Sequence, residues 1–130
     1  MKRWTAWSAV ALLALAVAAL AAAPAGVAKD GDIRVAGTCT GSTTSKIKLS
    51  AENGRIEVEF EVDQNRNRVP WRVTLSQNGR TVARLTRVTR APSGSFEARI
   101  VTPDRAGADV LRGRAVSPSG EVCTARATFA

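Results

Sequence analysis

Three glutamates spaced two apart, Glu57, Glu59 and Glu61, are the residues whose type and spacing come nearest to chemistry. On an extended strand such side chains share one face at intervals of about 7 Å. Two carboxylates that far apart suit an acid/base pair, and three suit an oxygen-rich cation site. The neighbouring residues work against both uses. Lys46 to Glu52 and Arg55 to Val62 are alternating runs around Asn53-Gly54, and Asn-Gly is the strongest short-range hairpin signal because both central residues of a type I′ turn take positive φ. A two-residue turn there sets Glu52 opposite Arg55, Lys48 opposite Glu59 and Lys46 opposite Glu61. On the other face Leu49 meets Val58 and Ile47 meets Phe60. The glutamates are therefore expected on a solvated, charge-paired face. Asp30, Asp32, Asp104 and Asp109 read as loop or terminal acids with weaker claims to calcium.

The remaining reactive residue types are sparse. The chain has no histidine and no tyrosine, and its two cysteines are Cys39 and Cys123. An exported chain with an even cysteine count is best read as disulfide-bonded, which leaves no thiol nucleophile, no His-dependent triad and no His-bearing metal site. No enzymatic activity and no cofactor are expected.

Arginine is the abundant functional group, with fifteen against four lysines. Phosphate binding by cations releases counterions and favours nucleic acid. However, Phe60, Trp71, Phe96 and Phe129 all fall in the inward phase of their strands, which leaves no stacking platform for bases. Nucleic acid is therefore not the expected partner. An exported basic protein meets anionic wall polymers, lipid headgroups or acidic proteins instead. If strand directions alternate, Arg66, Arg68 and Arg90 cluster at one end and form the candidate binding site; ordinary solubility is the bland alternative.

Stepwise along the chain, Met1-Lys2-Arg3, the apolar stretch from Trp4 to Ala23 and the small residues after it have the pattern of a secretory signal peptide. Residues 1–28 are assigned to that leader, with Ala25 as the alternative cleavage position, and residues 29–130 to a single domain. Cleavage leaves no membrane span; an uncleaved anchor is the competing reading. The remainder carries 17 basic and 11 acidic residues. High Arg and Ala content points toward a G+C-rich bacterial genome.

After Ala28 the hydrophobic pattern alternates and never sustains a helical period. Strands are expected around Ile33 to Cys39, over the first hairpin, over Val69 to Gln77, after Asn78-Gly79, around Phe96 to Ile100, and on both sides of Ser117-Pro118-Ser119-Gly120. The second Asn-Gly turn sets Leu75 opposite Val82, beyond which Arg84, Leu85 and Thr86 fall out of phase, as a bulge or an edge strand would require. The last turn sets Ala115 opposite Cys123, Gly113 opposite Ala125 and Leu111 opposite Ala127. Cys39 and Cys123 then both point inward and can bridge. Trp71 is expected over that bridge, with Gly113 and Ala125 making room for its ring.

From Lys46 to Phe129 this order resembles immunoglobulin-like and fibronectin type III sandwiches. Val69-Pro70-Trp71-Arg72-Val73 looks like the strand with the buried tryptophan. Thr102 to Asp109, leading into Arg114 to Gly120, looks like the corner and last hairpin, although the corner tyrosine is missing and the cysteines tie the first and last strands. The resemblance implies an all-β, immunoglobulin-like antiparallel sandwich of about seven to eight strands with one disulfide. It implies no activity. The expectation is a secreted, monomeric, non-enzymatic binding or cell-envelope-associated module for an anionic cell-wall polymer or an acidic protein. A secreted inhibitor or small-ligand carrier is the alternative.

Overall fold

Asn53 and Gly54 take φ of 49° and 76°, the left-handed pair that a type I′ turn requires. The strands they join, β3 (Thr44–Glu52) and β4 (Arg55–Asp63), pair in the expected register, including Lys48 with Glu59 and Ile47 with Phe60. The structure is a computed structural model and describes residues 31–130. The expected leader, residues 1–28, and Asp30 lie outside the described residues.

The other elements are β1 (Ile33–Ala36), β2 (Thr38–Cys39), β5 (Pro70–Gln77), β6 (Arg80–Val88), β7 (Ser95–Pro103), β8 (Asp109–Val116) and β9 (Val122–Phe129). They form two antiparallel sheets, ordered β1-β3-β4-β7 and β2-β9-β8-β5-β6. The fold is thus an all-β sandwich. No described residue is helical, and no helix among them is long and apolar enough to cross a membrane. The nine strands among the described residues exceed the expected number because the first strand divides: at Gly37 the backbone leaves one sheet and joins the other. A Cβ there would overlap Thr124 O and Ser45 Oγ, so the crossing needs glycine.

Cys39 and Cys123 are direct cross-strand partners on β2 and β9 and form the disulfide, with Cα atoms 4.1 Å apart. Closing a loop of 84 residues in sequence separation removes denatured-state entropy worth on the order of 4 to 5 kcal/mol. Around the last turn the register is also as expected, with Ala115 opposite Cys123 and Leu111 opposite Ala127.

The inner faces meet in a filled core. Ile47, Leu49, Ile56, Val58, Phe60 and Val62 come from one sheet, and Trp71, Val73, Leu75 and Leu111 from the other. Two expectations are corrected here. Gly113 and Ala125 do not accommodate Trp71: a Cβ at Gly113 would run into the Phe60 ring, so the gap belongs to a side chain from the opposite sheet. Trp71 lies one row farther along β5, since Val73, Ala115 and Cys123 are the residues in line with the bridge. Its ring centroid is 6.2 Å from that of Phe96, and its Nε1 donates to Gln64 Oε1 at 3.2 Å. The second correction concerns Leu75, which faces Ala83 and not Val82. Val82 is the extra residue of a bulge, 37% exposed, and the shift turns Ala83 and Leu85 toward the core while Arg84 and Thr86 face out. Strand β6 is also an edge strand.

Candidate functional site

The outer face of the four-stranded sheet holds the glutamates, and their partners are close at hand. Lys48 Nζ is 3.0 Å from Glu59 Oε2, and Lys46 Nζ is 3.5 Å from Glu61 Oε1. Arg99, opposite Glu59 on β7, reaches both Glu57 at 2.7 Å and Glu52 at 3.2 Å. Asp32 adds contacts to Arg34 and Lys48 at 3.6 and 3.7 Å.

The titration of this face follows from those contacts. The Arg99 guanidinium, with help from Glu52, holds the Glu57 carboxyl down at about 2. Glu52, hydrogen-bonded to Glu57 and beside its charge, is raised above the ordinary range. Burial first, and then the charges of Glu59 and Glu61, raise Glu97. Lys48 and Arg99 are raised by hydrogen bonds to Glu59 and Glu57 respectively. Acid and base are interleaved, so Glu52, Glu57, Glu59 and Glu61 each have a counter-charge; Glu97, directly opposite Glu61, is the exception.

The outer face of the five-stranded sheet is built by the same alternation with different residues. Its outward positions are Thr38 on β2, Val122, Thr124, Arg126 and Thr128 on β9, and Val110, Arg112, Arg114 and Val116 on β8. Arg72, Thr74 and Ser76 follow on β5, and Thr81, Arg84, Thr86 and Val88 on β6. No aspartate or glutamate is among them. Arg72, Arg84, Arg112, Arg114 and Arg126 are all exposed, and every ion pair among the described residues involves Arg34, Lys46, Lys48 or Arg99 instead. Arg112 stands directly opposite Arg126, a like-charge pairing that disfavours the sheet. One row crosses the whole sheet as Thr38, Thr124, Arg114, Thr74 and Arg84.

Arg66, Arg68 and Arg90, the cluster expected from the sequence, are exposed in two loops that meet at one end of the sandwich. The Arg68 N–H donates to Thr89 O at 2.8 Å and the Arg90 N–H to Ser95 O at 2.9 Å. A Cβ at Gly94 would overlap Arg66 N, which places the Arg66 backbone against the same turn. The loops are therefore together, just beyond the Pro70–Val88 end of the β5–β6 ladder.

Asp109 is not the exposed loop acid that its neighbours suggest. It is fully buried, and it accepts hydrogen bonds from Gln77 Nε2 and Asn78 Nδ2 at 2.9 Å and from the Arg105 N–H at 3.0 Å. Burial alone pushes its carboxyl up; the hydrogen bonds from Gln77, Arg105 and Asn78 outweigh it and leave the group below its ordinary value. Gln77 also donates to Pro103 O at 2.8 Å and accepts from Thr102 Oγ1 at 2.5 Å. The network pins the β5–β6 turn to the β7–β8 corner. Cys39, Glu121 and Cys123 bring ligand-type atoms within 4.8 Å of one another, but the two sulfurs are bonded to each other.

No family model, curated protein or solved structure matches this chain.

Two features lay beyond the sequence reading, and each had a signal. Asp109 shares the inward phase of Leu111, Gly113 and Ala115, and Gln77 that of Val73 and Leu75. The register that sets Leu111 opposite Ala127 also sets Arg112 opposite Arg126, so the basic face was implicit in the same hairpin that placed Cys123.

Proposed function

We propose that the protein is an exported, non-enzymatic, immunoglobulin-like module whose partner is anionic. One observation carries this: the carboxylates of the four-stranded sheet, Glu97 excepted, are matched by bases on their own face, while the arginines of the five-stranded sheet have no acid on theirs. Unneutralised guanidinium groups attract an external anion, and they gain affinity by releasing its counterions. The disulfide supports export, because such bridges persist in oxidising compartments. The buried Trp71 and the layered strands β3 to β9 support the immunoglobulin-like and fibronectin-like resemblance. An envelope polymer or an acidic protein outside the cell are the partner classes that fit.

Retention on a polyanionic resin tests this. The full chain should bind immobilised dextran sulfate at about 0.15 M salt and be released as salt rises toward about 0.5 M. Passage through the column at the lower salt removes the proposal.

A further inference from the structure

Resting on that anion-binding reading, we propose that the site is the outer face of the five-stranded sheet and that its occupant is a linear anionic polysaccharide lying across the strands. A depression of about 580 Å³ is lined by Thr74, Ser76, Arg112, Arg114 and Arg126. A second, of about 700 Å³, is lined by Arg72, Thr74, Arg84, Thr86 and Arg114. Thr74 and Arg114 line both, so the two depressions adjoin. Together they make a trough across β9, β8, β5 and β6, roughly 14 Å at the usual strand spacing. That length takes an oligomer in preference to a single small anion.

The lining chemistry narrows the occupant. Guanidinium groups pair with carboxylate, sulfate or phosphate, often through two parallel hydrogen bonds. Between them stand Thr74, Ser76, Thr86 and Thr124, whose hydroxyls both donate and accept, as sugar hydroxyls do. No aromatic ring lies on this face, so stacked bases have no platform. Val110 lines the first depression, and Val73, Leu85 and Val116 line the second, but all four are buried or half-buried. Val82 and Val88, the exposed large apolar side chains, line neither depression. The trough therefore offers neither a wedge for a bilayer nor the anchor that a folded protein partner fills.

The face also carries a cost that an anion relieves. Arg112 and Arg126 oppose each other directly, and Arg114 follows two residues along β8. A sheet under no demand other than folding gains by replacing one of them. A second copy of this chain is a poor occupant, because the acids on the other outer face, Glu97 excepted, already have Lys46, Lys48 and Arg99 beside them.

The experiment compares two charge-matched variants of the full chain. Arg112→Gln/Arg114→Gln/Arg126→Gln removes three charges from the trough, and Arg66→Gln/Arg68→Gln/Arg90→Gln removes three from the loops. Polygalacturonate is the probe, titrated by calorimetry, with inorganic polyphosphate and phosphatidylglycerol vesicles as comparison ligands. The trough variant should lose at least about tenfold in affinity and the loop variant less than about threefold. Thr74→Val should weaken polygalacturonate binding and leave polyphosphate binding unchanged, a distinction that charge alone cannot make. The trough variant should also melt about 1 to 4 °C higher than the parent, which rules out loss of binding through misfolding. Equal losses in the two variants overturn the site but leave anion binding standing. Tighter binding to the vesicles, or salt-sensitive self-association in sedimentation velocity, overturns the occupant. Failure of the parent to bind any of these polyanions overturns the proposed function with it.

Discussion

The two outer faces of the sandwich obey the same alternation and end in opposite electrostatic states. On the four-stranded sheet the steps Lys46 to Glu61, Lys48 to Glu59 and Glu59 to Arg99 change sign, and its like-charge steps, Arg34 to Lys48 and Glu61 to Glu97, have the opposite charge beside them in Asp32, Glu59 and Lys46. On the five-stranded sheet a step from arginine meets threonine, serine, valine or another arginine. The fold needs only the inward rows, which are apolar in both sheets except at their ends, where buried polar residues such as Gln77, Thr102 and Asp109 bond to one another. What the outward rows hold is free of that constraint, so the contrast between them reports on demands other than packing.

The largest expected effect tests the scaffold that presents both faces. Cys39→Ser/Cys123→Ser should cost on the order of 4 kcal/mol in denaturant unfolding. Because the effect acts on the denatured chain, hydrogen exchange should show the loss at every amide that exchanges by global unfolding, the β3–β4 hairpin included. A loss confined to β2 and β9 would mean that the bridge only holds the edge of the basic sheet. Next is Gly113→Ala, whose new methyl group meets the Phe60 ring. Overpacking of this kind costs about 1 to 3 kcal/mol, and because Phe60 belongs to the other layer both faces should weaken together.

Smaller substitutions separate the faces by sign. Arg99→Ala leaves Glu52 and Glu57 side by side and should lower stability at pH 7 slightly, as expected for exposed pairs. The pH dependence gives a second measurement. Glu57, held at about 2 in the fold and near about 4.3 when unfolded, contributes stability that is complete above the unfolded value and lost as pH falls toward 2. Glu52 is raised and so works in the other direction, gaining stability on protonation. In the Arg99→Ala variant the acid loss due to Glu57 should shrink, and the curves of parent and variant should converge near the low end of that window. Arg112→Gln should do the reverse of Arg99→Ala at pH 7, raising stability by about 0.2 to 1 kcal/mol through relief of Arg126. If both arginine substitutions destabilise, the contrast between the faces is wrong.

Much of this architecture could be read in the residues. Asn53-Gly54 fixed every pair of the first hairpin, and Ser117 to Gly120 fixed the row that brings Cys123 into line with Ala115. The second hairpin was legible as to kind but not register, because a bulge adds one residue wherever the ladder tolerates it, and Val82 carries no mark that distinguishes it from Ala83. Contacts between layers were harder still. Strand alternation says that Gly113 faces inward, but not that the ring above it is Phe60 and not Trp71; that depends on how two sheets settle against each other. The basic face is hidden for a different reason. Alternating strand directions bring Arg66, Arg68 and Arg90 to one end, but Arg72, Arg84, Arg112, Arg114 and Arg126 become neighbours only through the cross-strand register of four strands.

The position of the sulfur bridge has a mechanical consequence. It joins residue 39 to residue 123, near the two ends of the described chain. A pull applied between residues 31 and 130 would travel through the covalent link and bypass everything from Thr40 to Val122. Only β1, β2 and the tail of β9 could be stretched, and the trough residues on β5, β6 and β8 would feel no tension. Tethered at either end under flow, the domain would keep the β5, β6 and β8 part of that surface in shape, and only Arg126, beyond the bridge on β9, would be pulled.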